Sequence, residues 1–273
     1  MNLILLRPDD YLDPQRVRLS DARAEQIRQV HRAQAGDSVR VGDLGGLMGS
    51  AIIEQLDEHA VTLRVALDHQ PPAKLPVTLV LALPRPKMAR RICRTIAELG
   101  VRELILINSY RVEKSYWSSP LLSEDRIQDY FIEGLQQSMD TVLPTLRIEK
   151  YFKPFVEDHL PALASNKRAL VAHPRSDVPC PRDIRDDSLL AIGPEGGFIP
   201  YELEKLEKAG LQAVTLGERI LKVETAVPVL LSCTASASST AANSSLPCSD
   251  GADSALQASR IGHDGRKDLP CIR

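Results

Sequence analysis

Leu189-Leu190-Ala191-Ile192-Gly193-Pro194-Glu195-Gly196-Gly197, with the charged, apolar-periodic segment 201–209 behind it, is the stretch that decides the fold. Its four leading apolar residues are too few for a helix and suit a strand buried on both faces. The glycines end that strand, and segment 201–209 reads as a helix stopped by Gly210. Strand, glycine loop and helix in this order are the unit of a parallel α/β sheet, whose ligands bind at the carboxyl ends of the strands. Glycines there let backbone approach a ligand and offer free N–H groups. A phosphate cradle is disfavoured, because GxxxxGK[ST] and GxGxxG are absent and Glu195 would repel phosphate.

Outward from this stretch the unit recurs. Residues 77–83 read as a buried strand, and Pro86 opens a helix that runs to Leu99 before Gly100. Residues 103–107 form the next strand, and 123–139 a helix with Glu124 and Asp125 in its first turn. Residues 168–172 are a strand ending on His173-Pro174-Arg175. Residues 213–216 are another, running into Gly217-Glu218-Arg219-Ile220-Leu221-Lys222 and a helix from Glu224, capped by Thr225 or a residue just before it. Three polar or glycine loops at strand ends can converge on one pocket.

The first ~70 residues differ. Short strands near 38–41, 51–53 and 60–65, with turns at Gly42-Asp43 and Gly45-Gly46, suggest a small β-barrel. One helix is expected over 21–33, with Ser20 as N-cap and Ala24, Ile27 and Val30 on one face. Residues 68–73 look like a linker. The chain is accordingly divided into residues 1–70, a linker 71–76, a second domain 77–231, and a tail 232–273. That tail has 42 residues, nine of them serine and none aromatic, and reads as low-complexity and disordered.

The 273 residues are 43% hydrophobic, enough for a real core. With 34 Lys+Arg against 36 Asp+Glu, the net charge of -2 argues against a globally basic nucleic-acid binder. Aromatic content of 4% argues against base recognition on stacking platforms. Charge is unevenly spread, however: residues 74–115 hold 9 basic and 3 acidic side chains, a local +6. Lys87, Arg90, Arg91 and Arg94 share one helix face, and Arg111 and Lys114 extend it. Met88, Ile92, Ile96 and Leu99 lie opposite and are expected to pack inward. With no acid on the helix before Glu98, the cations repel one another, and an anionic partner would relieve that. The alternative is a merely solvated face. Five cysteines, none in CxxC spacing, signal neither a zinc site nor a disulfide framework, so no metal is expected. The N-terminus lacks a signal-peptide pattern and no apolar run approaches a membrane span, so no membrane partner and a cytoplasmic location are expected.

These motifs resemble those of the bacterial 16S rRNA (uracil-N3) methyltransferases of the SPOUT superfamily. The resemblance rests on His173-Pro174-Arg175, on Leu190 through Phe198, on Leu216-Gly217 with Arg219-Ile220-Leu221 and Glu224-Thr225-Ala226, and on Glu98-Leu99-Gly100-Val101. It implies an N-terminal PUA-like β-barrel, a C-terminal SPOUT domain with a parallel sheet and a deep trefoil knot, and a homodimer. The cofactor implied is S-adenosyl-L-methionine, the substrate 16S rRNA of the small ribosomal subunit, and the reaction methyl transfer to uridine N3. Cofactor-binding positions implied are His173, Pro174, Gly193, Glu195, Gly196, Gly197, Leu216, Gly217, Ile220 and Leu221. Arg219 is the candidate for stabilising the uracil anion, with Glu195 or Glu224 as base or loop anchor. Leu5-Leu6-Arg7 departs from the family's Arg-aromatic segment, residues 136–140 lack its usual arginine, and the tail past Ser232 replaces an expected amphipathic helix. Rival functions are a non-catalytic rRNA-binding or assembly protein on the same fold, and a SPOUT methyltransferase for another RNA.

Overall fold

The structure is a computed structural model and describes residues 2–29 and 33–234. Its N-terminal part is a curled six-stranded sheet in the order β1-β4-β5-β6-β3-β2. The strands are β1 (Ile4–Leu6), β2 (Tyr11–Asp13), β3 (Arg16–Leu19), β4 (Ser38–Asp43), β5 (Met48–Leu56) and β6 (Val61–His69). β1 pairs with β4 in parallel and the other pairings are antiparallel. Alternation sends Val17, Leu19, Val41, Ala51, Ile53 and Leu63 into one small core. The curl brings the β2 edge against β4, where the Tyr11 hydroxyl donates to Asp43 Oδ1 at 2.6 Å.

Two local expectations change here. The helix α1 spans Ala22–Gln29, and its first turn is organised by Asp21, not Ser20. The Asp21 carbonyl accepts the Ala24 N–H at 2.9 Å and its Oδ1 accepts the Arg23 N–H at 2.9 Å. Ala24 and Ile27 are buried as expected; Val30 lies outside the described residues. Asp68 and His69 belong to β6, paired as far as Met48, and not to a linker.

The second sheet is wholly parallel, in the order β12-β10-β11-β7-β8-β9. Its strands are β7 (Leu75–Ala82), β8 (Val101–Ile107), β9 (Thr145–Glu149), β10 (Arg168–Ala172), β11 (Ser188–Ile192) and β12 (Gln212–Val214). Val77, Leu79, Val80, Leu81 and Ala82 are all within 1% of complete burial, as a strand covered on both faces requires. The covering helices are α2 (Pro86–Glu98), α3 (Glu124–Ser138), α4 (Phe152–Pro154), α5 (Leu160–Ala164), α6 (Pro200–Lys208) and α7 (Val223–Thr234). Ile92 and Ile96 of α2 are buried, but Leu99 is 39% exposed, because α2 ends at Glu98 and the chain turns at Gly100, φ +73°. Thr225 lies inside α7 and does not cap it: the Lys222 carbonyl accepts the Thr225 and Ala226 N–H groups at 2.9 and 2.8 Å. α7 also continues through Thr234, three residues into the segment expected to be disordered; residues 235–273 lie outside the described residues.

α2 and α3 meet at Gly134. A Cβ there would lie 2.5 Å from the Arg94 carbonyl oxygen and 2.8 Å from Ala97 Cβ. Overpacking of this kind costs about 1–3 kcal/mol, against about 1 kcal/mol that alanine gains over glycine in a helix. We therefore expect Gly134→Ala to lower stability by up to about 2 kcal/mol, read as a lower urea midpoint with an unchanged slope. A raised midpoint would mean that the helices are free to separate.

The two cores meet at β1, a strand of the first sheet. Ile4 and Leu6 join the first core, while Leu3 and Leu5 point the other way and join the second. The junction is further held by Gly45 N–H to the Thr141 carbonyl (2.7 Å) and by Lys74 Nζ to Asp140 Oδ2 (2.6 Å), an ion pair with side chains only 13% and 5% exposed.

Candidate active site

Three strands lie side by side, β12, β10 and β11, and each ends in one of the loops singled out above. Between those loops is a cavity of about 270 Å³. His173 and Pro174 after β10, residues 193–198 after β11, and Leu216, Gly217, Arg219, Ile220 and Leu221 after β12 all line it. Val223, Ala226 and Leu230 of α7 complete the wall.

Each loop is held by its own chemistry. His173 prolongs the β10–β12 pairing by donating its N–H to the Val214 carbonyl at 2.9 Å. Its Nδ1 accepts the Arg175 N–H at 3.3 Å. Burial, and next the Arg175 charge, push the imidazole below its ordinary pKa and favour the neutral ring. Gly197, at φ +71°, closes a turn by donating to the Pro194 carbonyl at 2.7 Å. The space above Gly193 is filled by Phe198, whose N would lie 3.0 Å from any added Cβ. Thr215 and Gly217 tie the third loop through hydrogen bonds at 3.2 Å.

The two carboxylates expected to act as base or loop anchor differ in position. Glu195 is exposed, and its Oε1 accepts the backbone N–H of Arg85, the N-cap of α2, at 3.1 Å. It anchors the glycine loop to the positive end of that helix. Glu224 does not line the cavity; it sits in the first turn of α7. Arg219 does line it, is exposed, and has no hydrogen-bond or ion-pair partner among the described residues.

The basic face divides. Lys87 and Arg91 are exposed, with no partner among the described residues. Arg94 forms an ion pair with Glu133 of α3, and Arg90 lies 3.8 Å from the same carboxylate and 5.5 Å above the Tyr130 ring. The expected uncompensated repulsion is thus relieved at two of four positions by an acid on the neighbouring helix. Arg111 donates to the Gly196 carbonyl and joins the cavity's glycine loop to the loop after β8. Lys114 is exposed and opens a 3-10 turn, Lys114–Ser118.

Sequence reasoning missed Arg85 and Glu202. Glu202 is 3% exposed; its two oxygens accept the Tyr110 and Ile199 N–H groups at 2.7 and 3.0 Å, joining the loops after β8 and β11. Its place three residues after the N-cap was a readable signal for the local bond; the bond to Tyr110 was not. Among the described residues no group of His, Cys, Asp or Glu could hold a metal ion, and no helix is long and apolar enough to cross a membrane.

The RNA methyltransferase domain family matches residues 71–235. The chain is 30% identical over 232 residues to ribosomal RNA small subunit methyltransferase E of Treponema pallidum, covering 83% of this chain and 87% of that protein. A probable rRNA-methyltransferase from Porphyromonas gingivalis superposes with TM-score 0.66 at 27% identity, over 85% of this chain and 95% of that one. The Neisseria gonorrhoeae ribosomal RNA small subunit methyltransferase E, bound to S-adenosyl methionine, shares the fold with TM-score 0.66 at 24% identity, over 84% and 95% of the two chains.

Proposed function

This chain belongs to the RNA methyltransferase family, and from that premise we propose that it methylates N3 of a uridine in 16S rRNA with S-adenosylmethionine as methyl donor. The observation that carries the proposal is the convergence of the loops after β10, β11 and β12 on one cavity.

The residues present fit the cofactor. Ile192, Phe198, Leu216, Leu221 and Leu230 give the cavity apolar walls for an adenosine, and the glycine loops add backbone donors and acceptors. Ile220, 83% exposed, and Leu216, 36% exposed, are apolar side chains on the cavity lining that a bound group would cover. When bound, S-adenosylmethionine supplies a methyl group activated by a sulfonium charge. The protein's tasks are then positional and electrostatic. N3 of uracil must give up its proton, to Glu195 on the cavity lining or to solvent, before it can attack, which leaves negative charge on the ring. Arg219, on the cavity wall and without a partner among the described residues, offsets that charge. Glu195 fixes the glycine loop through Arg85, and neutral His173 adds no positive charge beside a sulfonium. Fixing both reactants in line is worth up to ~7–11 kcal/mol in favourable cases. N3 lies on the pairing edge of the base, so the target uridine is unpaired or extruded.

The same reading assigns residues 1–70 as a PUA-like barrel that holds RNA and 77–231 as the SPOUT domain. It is supported for the barrel by the curled sheet, and for a trefoil knot by the loop between β10 and β11, whose Asp183 N–H reaches the Cys233 carbonyl at the end of α7 (3.1 Å). Exposed Val229 on α7 supports a homodimer contact, and an rRNA substrate supports a cytoplasmic location. Mass mapping of 16S rRNA from a deletion strain, with this chain added back, should restore one methyluridine, and calorimetry should detect S-adenosylmethionine binding. RNA binding with no cofactor affinity would instead make the chain a non-catalytic rRNA-binding protein.

A further inference from the structure

A second cavity, of about 660 Å³, opens at the carboxyl ends of β7, β8 and β9, on the same sheet edge as the first. We propose that it takes one unpaired nucleobase of the bound RNA, adjacent to the target uridine, stacked against Tyr151 and Trp117; this rests on RNA being the substrate. Both rings line the cavity. The exposed aromatic side chains among the described residues are Tyr110, Tyr151 and Tyr201, at 79%, 75% and 47%, and all three stand in or just after loops at this edge. The exposed aromatic side chains among the described residues are therefore gathered at the edge that RNA would approach.

The site is rigid. Trp117 Nε1 donates to Asn108 Oδ1 at 3.0 Å, and the Asn108 N–H donates to the Glu149 carbonyl at 3.1 Å, so the loops after β8 and β9 are pinned together. Lys150, exposed and without a partner among the described residues, lines the cavity and can meet a base edge or the adjoining phosphate. The link to the first cavity is physical: Arg111 bonds Gly196, and the rings of Phe152 and Phe198 stand 6.4 Å apart. A ring three-quarters exposed gains most when a base covers it, and a base–aromatic stack tolerates any sequence because every base has a π-face.

The test uses the full chain and a short single-stranded RNA carrying 2-aminopurine beside the target uridine, with Tyr151→Ala and Tyr151→Phe. Wild type should quench the 2-aminopurine. Tyr151→Ala should lose the quench and weaken RNA binding about tenfold, while Tyr151→Phe keeps both. The salt dependence of binding should be the same in all three, because stacking releases no counterions. Tyr151→Ala with wild-type quench and affinity overturns the proposal, and so does a Tyr151→Phe defect as large as that of Tyr151→Ala. Displacement of the RNA by millimolar UMP would make this a free-nucleotide site, and a changed oligomeric mass with unchanged RNA affinity would make it a contact between copies; either overturns it. S-adenosylmethionine affinity is read in parallel, so loss of the cofactor reading alone leaves the quench intact and is told apart.

Discussion

Arg219→Ala lowers the rate of methyl transfer about 100- to 1000-fold, the range found when one donor to a developing anion is removed, and changes S-adenosylmethionine affinity by no more than about threefold. The expectation follows from what surrounds the side chain. An arginine with an acidic partner would lose much of its charge-stabilising power to that partner, and its removal would leave an orphaned acid. Arg219 has no such partner among the described residues, and it stands on the wall of the cavity beside Ile220 and Leu221. It is exposed, so its removal leaves no buried hole and should not unfold the chain. Glu218 and Lys222 flank it in the same loop, and Glu218 is also exposed; Lys222 belongs to the start of α7 through its carbonyl, not its charge. Arg219→Lys should recover part of the rate, since it keeps the charge but not the planar fork. Single-turnover kinetics and calorimetry separate the two quantities. Equal losses in rate and cofactor affinity would mean that Arg219 only holds the cofactor.

How much of this was legible in the sequence depends on the range over which the information acts. Runs such as Arg168–Ala172 and Ser188–Ile192 name their own strands, because a strand buried on both faces must be apolar along its length. The loops that follow were legible as site material for the same local reason: glycine, proline and charge interrupt the apolar pattern at a strand's carboxyl end. Capping was legible only to within a residue or so. Ser20 and Asp21 have similar N-cap propensities, and the choice of Asp21 was made by its bond to Arg23, which also reaches Asp10 and the Leu5 carbonyl. Partners far apart in the chain were not legible. Glu195 as a loop anchor was one of two expected roles, but its partner, the Arg85 N–H 110 positions away, was not legible. Leu5 reads in the sequence as a weakened RNA-binding strand, yet it packs in the second core and helps join the two sheets.

The same long-range effect splits the basic helix face, and it predicts two different outcomes from one kind of substitution. Lys87→Glu with Arg91→Glu should weaken RNA binding about 100-fold at low salt and flatten the plot of log affinity against log salt by about two units, one for each phosphate that the variant no longer neutralises. Stability should be unchanged, since both side chains are exposed and unpaired among the described residues. Arg94→Glu should do something else. Its guanidinium pairs with Glu133, and its Nε is already buried without a partner, so a carboxylate there faces another carboxylate where α2 packs on α3. The pair is partly exposed, at 34% and 42%, so solvent screens it and the stability loss should be only about 1 kcal/mol. The salt slope should then stay close to wild type, because Arg94 is already neutralised by Glu133 and has no phosphate to release. Fluorescence titrations over a range of salt, with urea melts of each variant, read both quantities. If Arg94→Glu flattened the slope as much as the Lys87 and Arg91 pair did, Arg94 would have to leave Glu133 to meet RNA. The acid on α3 would then be a stand-in for phosphate that the substrate displaces, and α2 would present four cations to RNA and not two.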